Sequence, residues 1–324
     1  MASIKDIAKK AGVSISTVSY ALNGSPKVTE ETSAKILAIA KELNYVPNAA
    51  ARTLKMRKTK IIGAFLSDYG GPFYGPLLYG MREALNKRDY DLIVCSGQRS
   101  HRLLPEGMID GAIVLDETFS NKELLNHAER GNKIIVLDRE IDHPNIDTVL
   151  LDNQTGTELA IQYLIGMGHH TLYFVTGPEE SYDSVQRLQA ALRLVERNKV
   201  VAYKVIQGDF NKKSGELAAR QIVNEYKTPV AVFCFNDVMA IGMYDYLATT
   251  DYIVGEHVHI IGFDNIELAR YIHPRLSTIQ FSKAEWGAKA AEQLICLLNN
   301  KPVHPQKISV TLKEGDSVQE RRNF

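Results

Sequence analysis

Eight short apolar runs, IIGAFL, DLIVCS, GAIVLD, KIIVLD, TLYFVTG, YKVIQG, AVFCF and HIIGFD, recur between residues 61 and 264. This recurrence constrains the chain more than any other feature. Runs that are apolar at successive positions fit strands covered on both faces, and the amphipathic stretches at 73–88, 153–167, 181–198, 212–226 and 236–249 have the spacing of the helices that would cover them. The expectation is an α/β core of parallel sheets, with enough βαβ units for two doubly wound subdomains, a final helix over 284–300 and a last strand over 307–312. In such sheets ligands bind beyond the carboxyl ends of the strands, so polar residues at those ends are the first candidates for a site.

Before residue 60 the pattern changes. Ile4, Ile7, Ala8 and Ala11 mark one face of a helix that Gly12 ends. Ser14 can cap a second helix that turns Val18, Ala21 and Leu22 inward, and Asn23-Gly24-Ser25-Pro26 is a turn. Thr29 then caps a third helix, with Glu30 and Glu31 in its first turn and Ile36, Ile39, Ala40 and Leu43 on its inner face. Three short helices around one small core follow the helix-turn-helix plan. In that plan the second helix directs its first residues, here Ile15, Ser16 and Thr17, at base edges in the major groove. Ser14, Ser19 and Asn23 are small polar groups suited to phosphate contacts, which set register without reading sequence.

Charge supports a polyanionic partner for this part alone. Residues 1–60 carry eleven Lys or Arg and four Asp or Glu, net +7, and the whole chain is neutral, so the remainder is −7. The segment LNYVPNAAARTLKMRKTK at 43–60 continues the basic end: Pro47 breaks the chain, Asn48 can cap a short Ala-rich helix, and Arg52, Lys55, Arg57, Lys58 and Lys60 follow. So short a helix does not persist alone in water, which fits a linker that folds on DNA, with Leu54 as an apolar wedge for the minor groove.

The pair IKDIAKKAGVSISTVSYALN and ELNYVPNAAARTL, in this order and spacing, resembles the headpiece and hinge of the LacI/GalR (lactose-repressor) family of bacterial regulators. The resemblance implies that Ile15 and Ser16 are the base-reading pair, that Leu54 enters the minor groove at the operator centre, and that Lys55 and Asn48 support it. Tyr20 departs from the Arg common at its place. Arg reads guanine through two hydrogen bonds; a Tyr offers one hydroxyl and a ring. The likeness extends through the body, so the implied organisation is a headpiece at 1–46, a hinge at 47–59 and a periplasmic-binding-protein-like core at 60–324. Within that core an N-subdomain of about 60–158 and 282–306 and a C-subdomain of about 159–281 and 307–324 are joined by crossings near 158, 281 and 306. The stretch CSGQRSHRLLPEGMIDG is about two turns shorter than the family's usual helix.

A hydroxyl-rich ligand such as a sugar needs rigid donors and acceptors and an aromatic plate. The strand ends offer Asp138, Asn236 and Asp264, with Arg187 on a helix, and all four match the family's positions for gripping hydroxyls. Phe210 matches its aromatic platform, Ser67, Phe73 and Tyr74 would close the N-subdomain wall, and Trp286 would lie at the floor. Plainer readings exist for each: Asp138 and Asp264 as capping or loop carboxylates, Arg187 as a solvated helix residue, Phe210, Tyr74 and Trp286 as core aromatics. In TIQFSK the chain departs from the lactose-type pattern, placing Phe281 and Lys283 differently.

Together these readings predict a cytoplasmic, homodimeric, DNA-binding regulator, a repressor of carbohydrate-use genes. Its partners would be a pseudo-palindromic operator duplex and a small, sugar-like effector. Effector action as inducer or corepressor and a phosphoprotein coregulator stay open, with inducer favoured. A sugar-binding protein without DNA activity and a regulator of nucleobase metabolism are the alternatives. No cofactor, metal site or catalysis is expected: no Walker loop, HExxH or Gly-x-Ser-x-Gly elbow occurs, nothing identifies a glycosidase carboxyl pair, and His169-His170 reads as a helix-terminus pair. The chain shows no apolar run of about 18 residues and no signal-peptide core, so neither insertion nor secretion is expected. Cys95, Cys234 and Cys296, odd in number and each in apolar sequence, read as free buried thiols.

Overall fold

The computed structural model describes residues 2–46, 58–198, 202–225 and 229–321. By internal contacts the chain forms two compact units, Met1–Thr59 and Lys60–Phe324. The first holds α1 (Ile4–Ala11), α2 (Ile15–Leu22) and α3 (Glu30–Glu42) around a core of Ile7, Ala8, Ala11, Val18, Ala21, Ile36 and Ala40. Local chemistry sets the ends. Gly12 adopts φ 72°, a left-handed turn that costs glycine little, and the Ser14 and Thr29 hydroxyls accept from the Thr17 and Thr32 amides at 3.1 and 3.4 Å. The hinge residues Asn48, Leu54 and Lys55 lie outside the described residues.

The second unit is built on two six-stranded sheets. The first has the order β11-β5-β4-β3-β1-β2, all parallel: β1 (Ile61–Leu66), β2 (Asp91–Cys95), β3 (Gly111–Leu115), β4 (Lys133–Val136), β5 (Ile146–Leu151) and β11 (Gln306–Ile308). Helices α4 (Tyr74–Asn86) and α5 (Asn121–Glu129) belong to this lobe, and the short segment before β3 folds as a 3-10 turn at Gln98–Leu103. The second sheet has the order β12-β10-β9-β8-β6-β7: β6 (Thr171–Val175), β7 (Ala202–Ile206), β8 (Val230–Cys234), β9 (Val258–Asp264), β10 (Ser277–Gln280) and β12 (Thr311–Lys313). Only β12 runs antiparallel to its neighbour. Its helices are α6 (Asn153–Gly166), α7 (Tyr182–Asn198), α8 (Lys212–Glu225) and α9 (Asp237–Leu247). No helix among the described residues is long and apolar enough to cross a membrane.

Helix α10 (Lys283–Leu298) returns to the first lobe, where Trp286, Ala290, Ala291 and Leu294 pack with Leu77 and Met81 of α4. The two helices approach closely: a Cβ at Gly80 would lie 1.9 Å from the Ala284 carbonyl oxygen.

Two of the expected crossings move. Residue 158 falls inside α6, and that helix buries Ala160, Ile161 and Leu164 in the second lobe's core. The chain therefore crosses at Asp152, between the end of β5 and the helix that Asp152 caps through the Thr155 amide at 3.1 Å. The buried apolar residues of this helix all lie in the second lobe's core. The strand expected over 307–312 is two strands: β11 extends the first sheet, β12 the second, and the third crossing occupies residues 309–310 between them. Between Gln280 and Lys283 the chain passes from the second sheet to the helix of the first lobe.

Candidate functional site

In the first unit, capping fixes which way α2 presents itself. Val18 and Ala21 are buried, so by helical spacing Ser14, Ile15, Ser16, Tyr20 and Asn23 stand outside, with Thr17 and Ser19 half-buried. Ile15 is 46% exposed, one of several large apolar side chains of this chain that stand in solvent. Lys27 places its ammonium 5.2 Å from the Tyr20 ring centre, adding a cation beside the aromatic group. Asn23 uses its side-chain NH2 on the Ser19 carbonyl at 2.7 Å, and the Ser14 and Thr17 hydroxyls lie 2.8 Å apart.

In the second unit, a cleft of about 600 Å³ opens between the two sheets. All nine residues singled out for the core line it: Ser67, Phe73, Tyr74, Asp138 and Trp286 from the first lobe, and Arg187, Phe210, Asn236 and Asp264 from the second. Their convergence has a topological cause. Ser67 follows β1, Asp138 follows β4, Phe210 follows β7, Asn236 follows β8 and Asp264 ends β9, so carboxyl ends of both sheets face one space. Phe210 (φ 66°) and Asp264 (φ 112°) hold left-handed backbone, which is rare for residues with side chains and clusters where a side chain must be aimed.

Polar contacts fix these groups. Arg187 is 3% exposed. Its Nε donates to Asn153 Oδ1 at 2.8 Å, one terminal nitrogen donates to the Phe235 carbonyl, and the other lies 3.9 Å from Asp183. The guanidinium also stacks 3.6 Å over the Phe263 ring. Burial lowers its pKa, which Asp183, Asp264 and Asp237 oppose. Asp138 is clamped by the Arg139 guanidinium at 2.7 and 2.8 Å, yet its burial still raises its pKa. Asp264 is pushed up to about 6 by burial, with Lys283 and Arg187 pulling the other way. Asn236 caps α9 by accepting from the Met239 amide at 2.9 Å and donates to the Phe210 carbonyl at 2.8 Å. Trp286 combines both sequence readings: it lines the cleft while its indole N–H donates to the Val149 carbonyl at 2.6 Å inside the core.

The cleft also uses residues the sequence reading passed over. Asp68, Glu117, Asp183 and Asp209 line it. Glu117 follows β3 by two residues, so the strand-end rule would have found it. Lys283 is 7% exposed; its ammonium donates to the Asp264 main-chain carbonyl and lies 4.5 Å from the Phe281 ring centre. No local pattern announces that contact. His169 is buried, with Nε2 2.9 Å from the Gln319 carbonyl oxygen and its ring 4.1 Å from that of His259.

A helix-turn-helix unit and a two-lobed cleft carried by one chain define a ligand-responsive DNA-binding regulator. Comparison with known proteins agrees. Residues 3–48 match the family described as bacterial regulatory proteins, lacI family, and residues 161–318 match a periplasmic binding protein-like domain. The chain is 34% identical to the HTH-type transcriptional repressor PurR of Proteus mirabilis over 96% of its length and 94% of the relative's. It is also 34% identical to the ribose operon repressor of Escherichia coli K12, over 96% and 97%. A sugar-binding transcriptional regulator of the LacI family from Enterococcus faecalis is 48% identical with a TM-score of 0.77, covering 81% of this chain and 98% of that one. The chain belongs to the lacI family of bacterial regulatory proteins: it is a DNA-binding transcriptional regulator controlled by a small-molecule effector.

Proposed function

We propose that the chain is a homodimeric, cytoplasmic repressor of carbohydrate-use genes, and that a small sugar-like effector held in the cleft sets its affinity for a pseudo-palindromic operator. The observation that carries this reading is the convergence of Asp138, Asn236, Asp264 and Arg187 with the aromatic Phe73, Tyr74, Phe210 and Trp286 around about 600 Å³. Carboxylates and amides bond hydroxyls, and flat rings cover the C–H face of a sugar. On the DNA side, Ile15, Ser16 and Thr17, with Tyr20, face base edges, Ser14, Ser19 and Asn23 hold phosphates, and Leu54, with Asn48 and Lys55, forms the minor-groove wedge.

Three crossings join the lobes, so a ligand touching both changes their angle, and any geometry that disfavours operator binding must lower operator affinity by the factor by which operator lowers ligand affinity. A second reading, a nucleobase, is favoured by the same rings, which would stack a planar base. The experiment is thermal melting of the protein against monosaccharides, disaccharides and nucleobases, repeated with operator duplex. A ligand at 100 times its Kd stabilises by about 2.7 kcal/mol. A sugar that shifts the melt and changes operator affinity supports the reading; a shift from bases alone transfers the effector to the second reading.

A further inference from the structure

The charge around the cleft narrows the class of effector, on the premise that the cleft is the effector site. Helices α4, α7 and α9 all begin at the cleft, through Phe73 and Tyr74, Ser181, and Asn236. Helix N-termini ordinarily attract anions, because their first amides lack partners and the helix dipole is positive there. This chain meets those termini with acceptors of its own. On α9, Asn236 Oδ1 takes the Met239 amide and Asp237 stands in the first turn. On α7 the first turn carries Asp183. Near the start of α4, burial and then the charges of Asp68 and Glu117 push the Tyr74 hydroxyl up to about 12, a sign of negative potential on this wall.

Six carboxylates line the cleft: Asp68, Glu117, Asp138, Asp183, Asp209 and Asp264. Among the described residues that line the cleft, Arg187 is the only Lys, Arg or His, and it is engaged with Asn153, the Phe235 carbonyl and Asp183. If Arg139 behind Asp138 and Lys283 behind Asp264 are added, acids still outnumber bases six to three.

We propose that the cleft takes an uncharged polyhydroxyl ligand, such as a free monosaccharide, and rejects its phosphate ester and other anions. Hydroxyl donors satisfy the carboxylates, whereas a phosphate brings nearly two further negative charges. Even at the dielectric of water, one carboxylate about 7 Å away opposes a dianion by roughly sevenfold, and several carboxylates act together here.

The test is calorimetric titration of the full-length protein with each of a series of monosaccharides and with its monophosphate ester, at low and high salt. The expected result is that at least one free sugar binds, that its ester binds at least about tenfold more weakly, and that the gap shrinks as salt rises. In Glu117→Gln the ratio of ester to parent should move toward unity. An ester that binds as tightly as its parent overturns the proposal while leaving the sugar reading intact. A gap that ignores both salt and Glu117→Gln also overturns it, since the exclusion is then one of size. If neither member of any pair binds, the sugar reading fails and this proposal falls with it.

Discussion

Asp264→Asn tests the electrostatics of the cleft floor directly. Asp264 is 5% exposed, and its carboxyl is held at about 6 against an ordinary 3.8. The fold therefore binds this proton more tightly than the unfolded chain does, so the group's stability contribution is complete below about pH 4 and is lost as pH rises through about 6. At 1.36 kcal/mol per pH unit, keeping the carboxylate ionised in the fold costs about 3 kcal/mol at neutral pH, of which about 1 kcal/mol develops between pH 5 and pH 7. The attraction of Lys283 and Arg187 is already included in the held value. Asparagine keeps the shape and cannot ionise. Urea unfolding followed by the fluorescence of the single tryptophan, Trp286, should show the variant gaining on the wild type by about 1 kcal/mol from pH 5 to pH 7. Effector affinity should fall in the variant, because an ionised Asp264 is the better acceptor for a hydroxyl, and in the wild type it should rise with pH through about 6. A stability difference that stays constant over this range would refute the claim that burial sets the titration of Asp264.

Other expected outcomes address single contacts. Ser14→Ala removes the acceptor of the Thr17 amide and should lower headpiece stability by about 1 kcal/mol, seen as an earlier loss of helical circular dichroism on heating the headpiece. Trp286→Phe leaves the buried Val149 carbonyl without its 2.6 Å donor and should cost the core about 1–3 kcal/mol in urea unfolding. Gly80→Ala drives a methyl into the Ala284 carbonyl, 1.9 Å from where it would sit, and should lower the core's melting temperature by forcing α4 and α10 apart. Leu54→Ala should weaken operator binding in a mobility-shift titration while leaving effector binding unchanged, since the proposed wedge meets only DNA.

Much of this architecture is written locally. The period of Ile4, Ile7, Ala8 and Ala11, the caps at Ser14 and Thr29, and the eight apolar runs depend on neighbours a few residues away, and the elements form where those patterns place them. The cleft residues at strand ends were legible for the same reason: in a doubly wound sheet, a position just past a strand is already a position at the ligand face. Asp138, Asn236 and Asp264 could be found from sequence because each sits at such an end.

The lobe crossings and the charge balance of the cleft were decided only by the tertiary structure. Residues 307–312 look like one strand because strand propensity is local, but the choice of sheet is made by pairing partners: Ile308 sits beside Leu151 and Thr311 beside Gln280. Likewise α6 is one amphipathic helix by sequence, and only the core into which Ala160 and Leu164 pack shows that it lies wholly beyond the crossing. Lys283 finds the Asp264 carbonyl, and Arg187 finds Asn153 and Phe235, across 19, 34 and 48 residues of chain. Sequence determined the elements because secondary structure answers to near neighbours; burial, pairing and pKa answer to groups that only folding brings within reach.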